Sequence, residues 1–241
     1  MHSELDDNFI AVNNKIKRAI HNANREDESV KLVAVTKRQP KEKIKFFLDK
    51  GIKIFGENRV QDAINRWTNI DRTNIEIHMI GPLQTNKSEE AIKFFDVIET
   101  LDRDKLANAL SKSEYKLNKK LKYFVQINTG EEKQKSGIIP QEAEGFINRC
   151  KLKYGLKILG LMCIPPIDQN PGIHFAFLRE ISKRNKLEYL SMGMSNDFED
   201  AILFGSTHLR IGTALFGKRL EKEKINWVYK EWPNNFFLTS I

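Results

Sequence analysis

The chain has 241 residues, 40% of them hydrophobic and 30% charged, which is enough to bury a sizeable core and too ordinary for a disordered chain. No apolar run is long enough to span a bilayer, residues 1–7 are acidic without an apolar signal region, and Cys150 and Cys163 form neither a disulfide framework nor a metal-ligand spacing, so no membrane, no metal and a reducing cytoplasm are expected. The net charge of +8 is spread through 15–18, 41–53, 116–122, 147–153, 182–186 and 218–224, mostly in Lys- and Glu-rich helical stretches without aromatic interleaving, so no nucleic-acid partner is expected.

Leu5, Phe9, Ile10, Val12, Ile16, Ala19 and Ile20 recur at helical spacing over 3–24. A short apolar run at 32–36 ends on Lys37 and is closed by Pro40, which reads as a buried strand. Residues 41–50 read as a helix with Ile44, Phe46, Phe47 and Leu48 inward, stopped by Gly51. The alternation continues with strands at 52–55, 75–80, 97–100, 122–128, 158–162, 187–192 and 208–212. Helices are expected at 58–68, 85–95 with a cap at Thr85, 103–117, 141–151, near 173–184 and over about 196–203. A tail with Trp227, Trp232 and Pro233 follows. Eight strand candidates, each followed by a helix or helix-like segment, imply a parallel sheet, and eight units match a closed (β/α)₈ TIM barrel better than an open doubly wound sheet. No linker, low-complexity segment or repeat divides the chain, so residues 1–241 read as a single α/β domain: a (β/α)₈ barrel with an N-terminal helix.

In such a barrel the residues after each strand gather on one face, where active sites are built. Here they are Lys37, Gly56-Glu57-Asn58, Gly81-Pro82, Asn128-Thr129, Pro165-Pro166, Gly193-Met194-Ser195 and Gly212-Thr213, a polar, glycine-rich set. A lysine held partly out of water has a larger neutral fraction and becomes a nucleophile towards carbonyls, although a strand-end lysine reaching solvent is the simpler reading of Lys37 by itself. Ser195 precedes an apparent Asn196 cap with Glu199 at the third helical position, and could bind a phosphate there or serve plain capping. Residues 212–219 nearly spell a P-loop, but Arg219 stands where Ser or Thr is needed. Residues 193–197 resemble a nucleophile elbow but end on Asp197. The five histidines form no metal or triad spacing, and His78, inside a strand, reads as a core residue.

Longer stretches carry more. They are 33–37 (Val-Ala-Val-Thr-Lys), 55–61 (Phe-Gly-Glu-Asn-Arg-Val-Gln), 78–87 (His-Met-Ile-Gly-Pro-Leu-Gln-Thr-Asn-Lys), 130–132 with 135–137, 161–166 (Leu-Met-Cys-Ile-Pro-Pro), 190–197 and 205–217. In this order, over about 30–219, the chain resembles the YggS/PROSC family of pyridoxal 5′-phosphate (PLP) homeostasis proteins, and the tail 220–241 lies outside the resemblance. The resemblance implies a fold-type III barrel like the N-terminal domain of alanine racemase, with PLP as a Schiff base on Lys37. It also implies that Ser195 and the backbone of Gly212 and Thr213 bind the phosphate, that Arg210 faces the pyridine nitrogen, that Asn58 lies beside the ring, and that Ser191 and Met194 lie near the phosphate end. Two departures stand out: Gln39 replaces a usual lysine, and Cys163 a usual Ala or Thr.

An arginine opposite the pyridine nitrogen disfavours its protonation and weakens the ring as an electron sink. Racemases of this fold take a second acid/base from an added β-domain and a partner subunit, whereas about two dozen residues follow the barrel here. The expected function is a PLP carrier and buffer in intracellular PLP homeostasis, without substantial catalysis. A monomer is the expected state, and apo PLP-dependent enzymes are the expected recipients. The alternative is a single-domain PLP-dependent amino-acid racemase.

Overall fold

The computed structural model describes residues 2–217; the tail with Trp227, Trp232 and Pro233 lies outside the described residues. The strands are β1 (Lys31–Val35), β2 (Ile54–Glu57), β3 (Glu76–Met79), β4 (Val97–Leu101), β5 (Lys122–Gln126), β6 (Lys157–Met162), β7 (Tyr189–Ser191) and β8 (His208–Ile211). They pair in parallel in chain order, and β8 returns to β1 with Lys31 opposite His208 and Ala34 opposite Ile211, closing the barrel that the alternation implies.

Helix α1 (His2–Asn22) precedes the barrel. The others, α2 (Lys41–Asp49), α3 (Val60–Trp67), α4 (Ser88–Phe94), α5 (Asp104–Leu117), α6 (Ala143–Asn148), α7 (Pro171–Arg184), α8 (Phe198–Leu203) and α9 (Thr213–Phe216), each follow a strand. Local chemistry sets their ends. Gly51, at φ +83°, ends α2, and the Ile52 N–H returns to the Phe47 carbonyl as the chain turns towards β2. Asn170 caps α7 by accepting the Gly172 N–H, with Pro171 at the first position, so α7 begins before residue 173.

Several boundaries differ from the sequence reading. Strand β2 runs to Glu57, so Gly56 and Glu57 are strand residues. Residues Thr85–Lys87 form a 3₁₀ turn before α4, and Ser88 Oγ donates to the Thr85 carbonyl, so Thr85 is not a helix cap. Helix α8 starts at Phe198 with Asp197 in the N-cap position, which removes the proposed Asn196 cap. Helix α6 continues as a π-helical segment over Arg149–Lys153. Ile10, one of the apolar positions at helical spacing in α1, is exposed.

The closed sheet separates two cores. The larger packs the outer strand face, such as Ala34, Phe55, Ile77, Ile98 and Leu209, against helix residues such as Phe47, Ile92, Leu106 and Leu178. Burying each of the Leu, Ile and Phe side chains contributes roughly 1.5–3 kcal/mol. The smaller core is the barrel lumen, where Val97, Phe124 and Met162 meet Leu159 and Tyr189. Its remaining volume is filled by polar side chains, among them His78, Glu99, Ser191, His208 and Arg210, which form the floor beneath the candidate site.

Candidate functional site

At the carboxyl end of the strands a cavity of about 540 Å³ opens, within the ~300–1,000 Å³ range of small-molecule sites. Lys37, Asn58, Met194, Ser195, Arg210, Gly212 and Thr213 all line it. Ser191 does not line it: its side chain is fully buried in the lumen beneath Arg210, which moves it from the expected phosphate end to the floor. Val35 and Ile80 add apolar wall, and the loop Ile164, Pro165, Pro166 and Ile167 forms one rim.

Lys37 leaves the end of β1 half-buried, from a backbone held at every polar atom of the preceding residue. Thr36 donates its N–H to the Gly56 carbonyl at 3.0 Å and its hydroxyl to Glu57 Oε1 at 2.6 Å. Its carbonyl accepts from Arg66 Nε at 3.1 Å. Glu57 Oε1 also accepts from Trp67 Nε1 at 3.0 Å and lies 3.3 Å from Arg66. Burial pushes the Glu57 carboxyl up, against the opposing pull of Thr36, Arg66 and Trp67. The sequence signal for Glu57 was a glutamate directly before the strand-end Asn58, read as loop rather than as the last buried residue of β2.

Asn58 is set by a close backbone approach. A Cβ on Gly81 would lie 2.2 Å from the Asn58 carbonyl oxygen and 2.7 Å from its Cα, so only glycine lets the turn after β3 press against this residue. Across the cavity, Ser195 Oγ accepts the Ala214 N–H at 3.2 Å, which leaves the hydroxyl hydrogen to donate elsewhere. Gly193, at φ +94°, packs so closely that a Cβ would lie 2.6 Å from that of Ala201. Asp197 also lines the cavity; Oδ1 accepts the Met194 N–H at 2.6 Å, and burial raises its pKa. Glu199 points the other way, to Lys15 and Arg18.

Arg210 closes the floor. Its Nη1 donates to Ser191 Oγ at 2.6 Å and its Nη2 to the Cys163 carbonyl at 2.8 Å. The contact at Cys163 is through backbone, so the cysteine there leaves this clamp intact, and burial pushes its thiol up to about 12. Beneath lies Glu99, with Oε2 accepting from Ser191 Oγ at 2.5 Å and Oε1 2.6 Å from His78 Nδ1. Burial alone would raise the Glu99 pKa, but His78 and Arg210 together bring it to about 2. Burial would likewise lower that of His78, and the carboxylates of Glu76 and Glu99 outweigh it and raise it. A glutamate in the middle of a five-residue strand in which all residues but Glu99 and Thr100 are apolar was the available signal for this network.

The sequence matches the family described as "Alanine racemase, N-terminal domain" over residues 11–219. The pyridoxal phosphate homeostasis protein of Aquifex aeolicus is 37% identical over 214 residues, covering 85% of this chain and 94% of that one. PipY of Synechococcus elongatus, solved with PLP bound, superposes with a TM-score of 0.72 at 31% identity, covering 84% of this chain and all of that one. An alanine racemase of Clostridium difficile shares the fold at 17% identity and a TM-score of 0.70, the match covering 91% of this chain and 58% of that one. With 37% identity across most of its length, on a barrel that matches in sequence and in shape, the chain belongs to the pyridoxal phosphate homeostasis proteins of the alanine racemase N-terminal domain family.

Proposed function

We propose that this cavity holds PLP with Lys37 as its covalent anchor, and that the chain acts in PLP homeostasis as a carrier and buffer without substantial catalysis. The observation that carries the reading is the convergence of Lys37, Ser195 with Gly212 and Thr213, and Arg210 on one cavity of cofactor size. The residues present fit the group. Asn58 Oδ1 is a buried acceptor with no hydrogen-bond partner, the kind of atom that a ligand hydroxyl satisfies. The Ser195 hydroxyl has a hydrogen to offer a phosphate oxygen. Relatives named for PLP homeostasis, and PipY with PLP bound, support the same ligand.

Bound there, PLP supplies an aldehyde that a neutral lysine amine captures reversibly. Lys37 is the residue in reach of that role, and the hold on Thr36 limits where its side chain can start. Asn58 would lie beside the ring, Met194 near the phosphate end, and Arg210 would face the ring nitrogen. The anchored cation at Arg210 opposes a proton on the ring nitrogen, which supports storage over carbanion chemistry. Among the described lining residues there is no tyrosine or histidine to act as a second acid/base, and Asp197 Oδ1 is already committed to the Met194 N–H. The chain works as a cytoplasmic monomer, and apo PLP-dependent enzymes are its recipients.

The test mixes PLP-loaded protein with an apo PLP enzyme, in the presence of a phosphatase that destroys free cofactor. Activation that survives the phosphatase is expected, together with no racemisation across a panel of L-amino acids. Loss of activation would remove the carrier role, and turnover by homogeneous protein would restore the racemase reading.

A further inference from the structure

Glu99 does not reach the cavity, yet it is a fully buried carboxylate in mid-barrel, a position that TIM barrels usually fill with branched apolar side chains. Desolvating a carboxylate costs several kcal/mol unless it is well paired, so filling space is a poor account of its presence. Its two oxygens reach different strands: Oε1 meets His78 on β3, and Oε2 accepts the Ser191 hydroxyl on β7 at 2.5 Å. A hydroxyl that donates to a carboxylate offers only lone pairs on its other side. Ser191 is thereby fixed as an acceptor, and Arg210 Nη1 on β8 donates to it at 2.6 Å. The same guanidinium nitrogen lies 3.9 Å from Glu99 Oε2, so charge and hydrogen bonding act together. Each terminal nitrogen of Arg210 carries two N–H groups, and one from each is held by Ser191 or the Cys163 carbonyl. The clamp therefore fixes the fork from behind and leaves its other donors to the cavity side.

We propose that Glu99 is the positioning residue that aims Arg210 into the ligand cavity, acting through the Ser191 hydroxyl. This rests on the reading that the cavity binds PLP. The chain Glu99–Ser191–Arg210 makes the place and polarity of the guanidinium a property of β4 and β7, not of the cavity wall alone. His78 is the carboxylate's other support and keeps it charged.

The experiment measures PLP affinity by equilibrium dialysis, and the visible absorption of the bound cofactor, for Glu99→Gln and Ser191→Ala. Each substitution is made in the wild-type background and in Arg210→Gln. In the wild-type background each should weaken PLP binding about tenfold and move the visible band, a coupling on the scale of contacting residues. In the Arg210→Gln background each should change affinity less than about twofold, because the group they position is gone. Equal weakening in both backgrounds would reduce Glu99 to a scaffold residue, and wild-type affinity and spectrum in both variants would overturn the proposal outright. If Glu99→Gln loses its cooperative melting transition, Ser191→Ala, the smaller change, decides the matter by the same comparison. A wild-type chain that takes up no PLP would overturn the function reading and this inference with it, whereas a wild type that binds while the variants match it overturns the inference alone.

Discussion

Two imidazoles share the barrel lumen with ring centres 6.0 Å apart, and their surroundings push them in opposite directions. His78 lies between two carboxylates and is raised. His208 is brought down to about 4, first by burial and then by the charges of His78 and Lys31, with Glu99 opposing. A folded histidine with a depressed pKa leaves stability untouched above the unfolded value of 6.5. Below it the unfolded chain takes up a proton that the fold refuses, so stability falls as pH drops towards 4. At pH 5 that is about 1.5 pH units of linkage, or about 2 kcal/mol. His78 has the contrary sign: its contribution is complete below 6.5 and is lost as pH rises through its raised value, so it partly masks the acid loss. The clean comparison is therefore with His208→Phe, which keeps the ring packing against Phe124 and Tyr189 at 5.2 and 5.7 Å and removes the proton site. Thr207 Oγ1, which loses the ring nitrogen, still has the Leu190 carbonyl. Scanning calorimetry of both proteins at about pH 7 and pH 5 should show the Tm difference moving about 4–8 °C in the variant's favour on acidification. An unchanged difference would mean that His208 protonates as readily in the fold as out of it, and would refute the electrostatic account of the lumen.

Gly81→Ala places a Cβ 2.2 Å from the Asn58 carbonyl oxygen, an overpacking expected to cost about 1–3 kcal/mol and to weaken PLP binding by pushing Asn58 aside. Gly51→Ala is its control: no atom lies within 4 Å, so a Tm loss from the φ of +83° should come with unchanged binding. Ser195→Ala should weaken PLP binding roughly 10–100-fold, the loss of one hydrogen bond to a charged group, while binding of unphosphorylated pyridoxal stays the same. Equal losses for both ligands would take the phosphate contact away from Ser195. Thr36→Val removes the hydroxyl from Glu57 and should lower Tm and slow PLP uptake, followed as the growth of visible absorbance.

Strand order and the barrel were legible because β-branched and apolar runs alternated with helical periodicity eight times, and parallel neighbours in chain order can close in only one way. Boundaries were lost where a local bond overrode the pattern. Asp197, not Asn196, takes the cap position of α8, and Asn170 draws the start of α7 back to Pro171. The short helix α9 was hidden within a stretch that nearly spells a P-loop. In the site, the strand-end residues Lys37, Asn58, Ser195 and Gly212 could be gathered from topology alone, whereas Arg210, inside β8, was assigned to the site only through the family resemblance. Glu99 and Ser191 could not be placed beneath the site, because which residues face the lumen, and which meet across it, depends on registers that exist only once the sheet has closed. Glu57 could not be read as a buried anchor because its partners, Thr36 after β1 and Trp67 on α3, meet it only in the folded chain. Ser191 is the instructive case: three positions before Met194, which lines the cavity, it lies one layer below the cavity in space.

Whether the amine of Lys37 itself holds the cofactor is the claim on which the rest depends. Wild-type protein loaded with PLP, reduced with borohydride, digested and mapped by mass spectrometry should carry the pyridoxyl adduct on the peptide containing Lys37, and Lys37→Ala should carry none while keeping a cooperative melting transition. An adduct mapped to a different lysine in the wild type, or one retained in Lys37→Ala, would contradict the account.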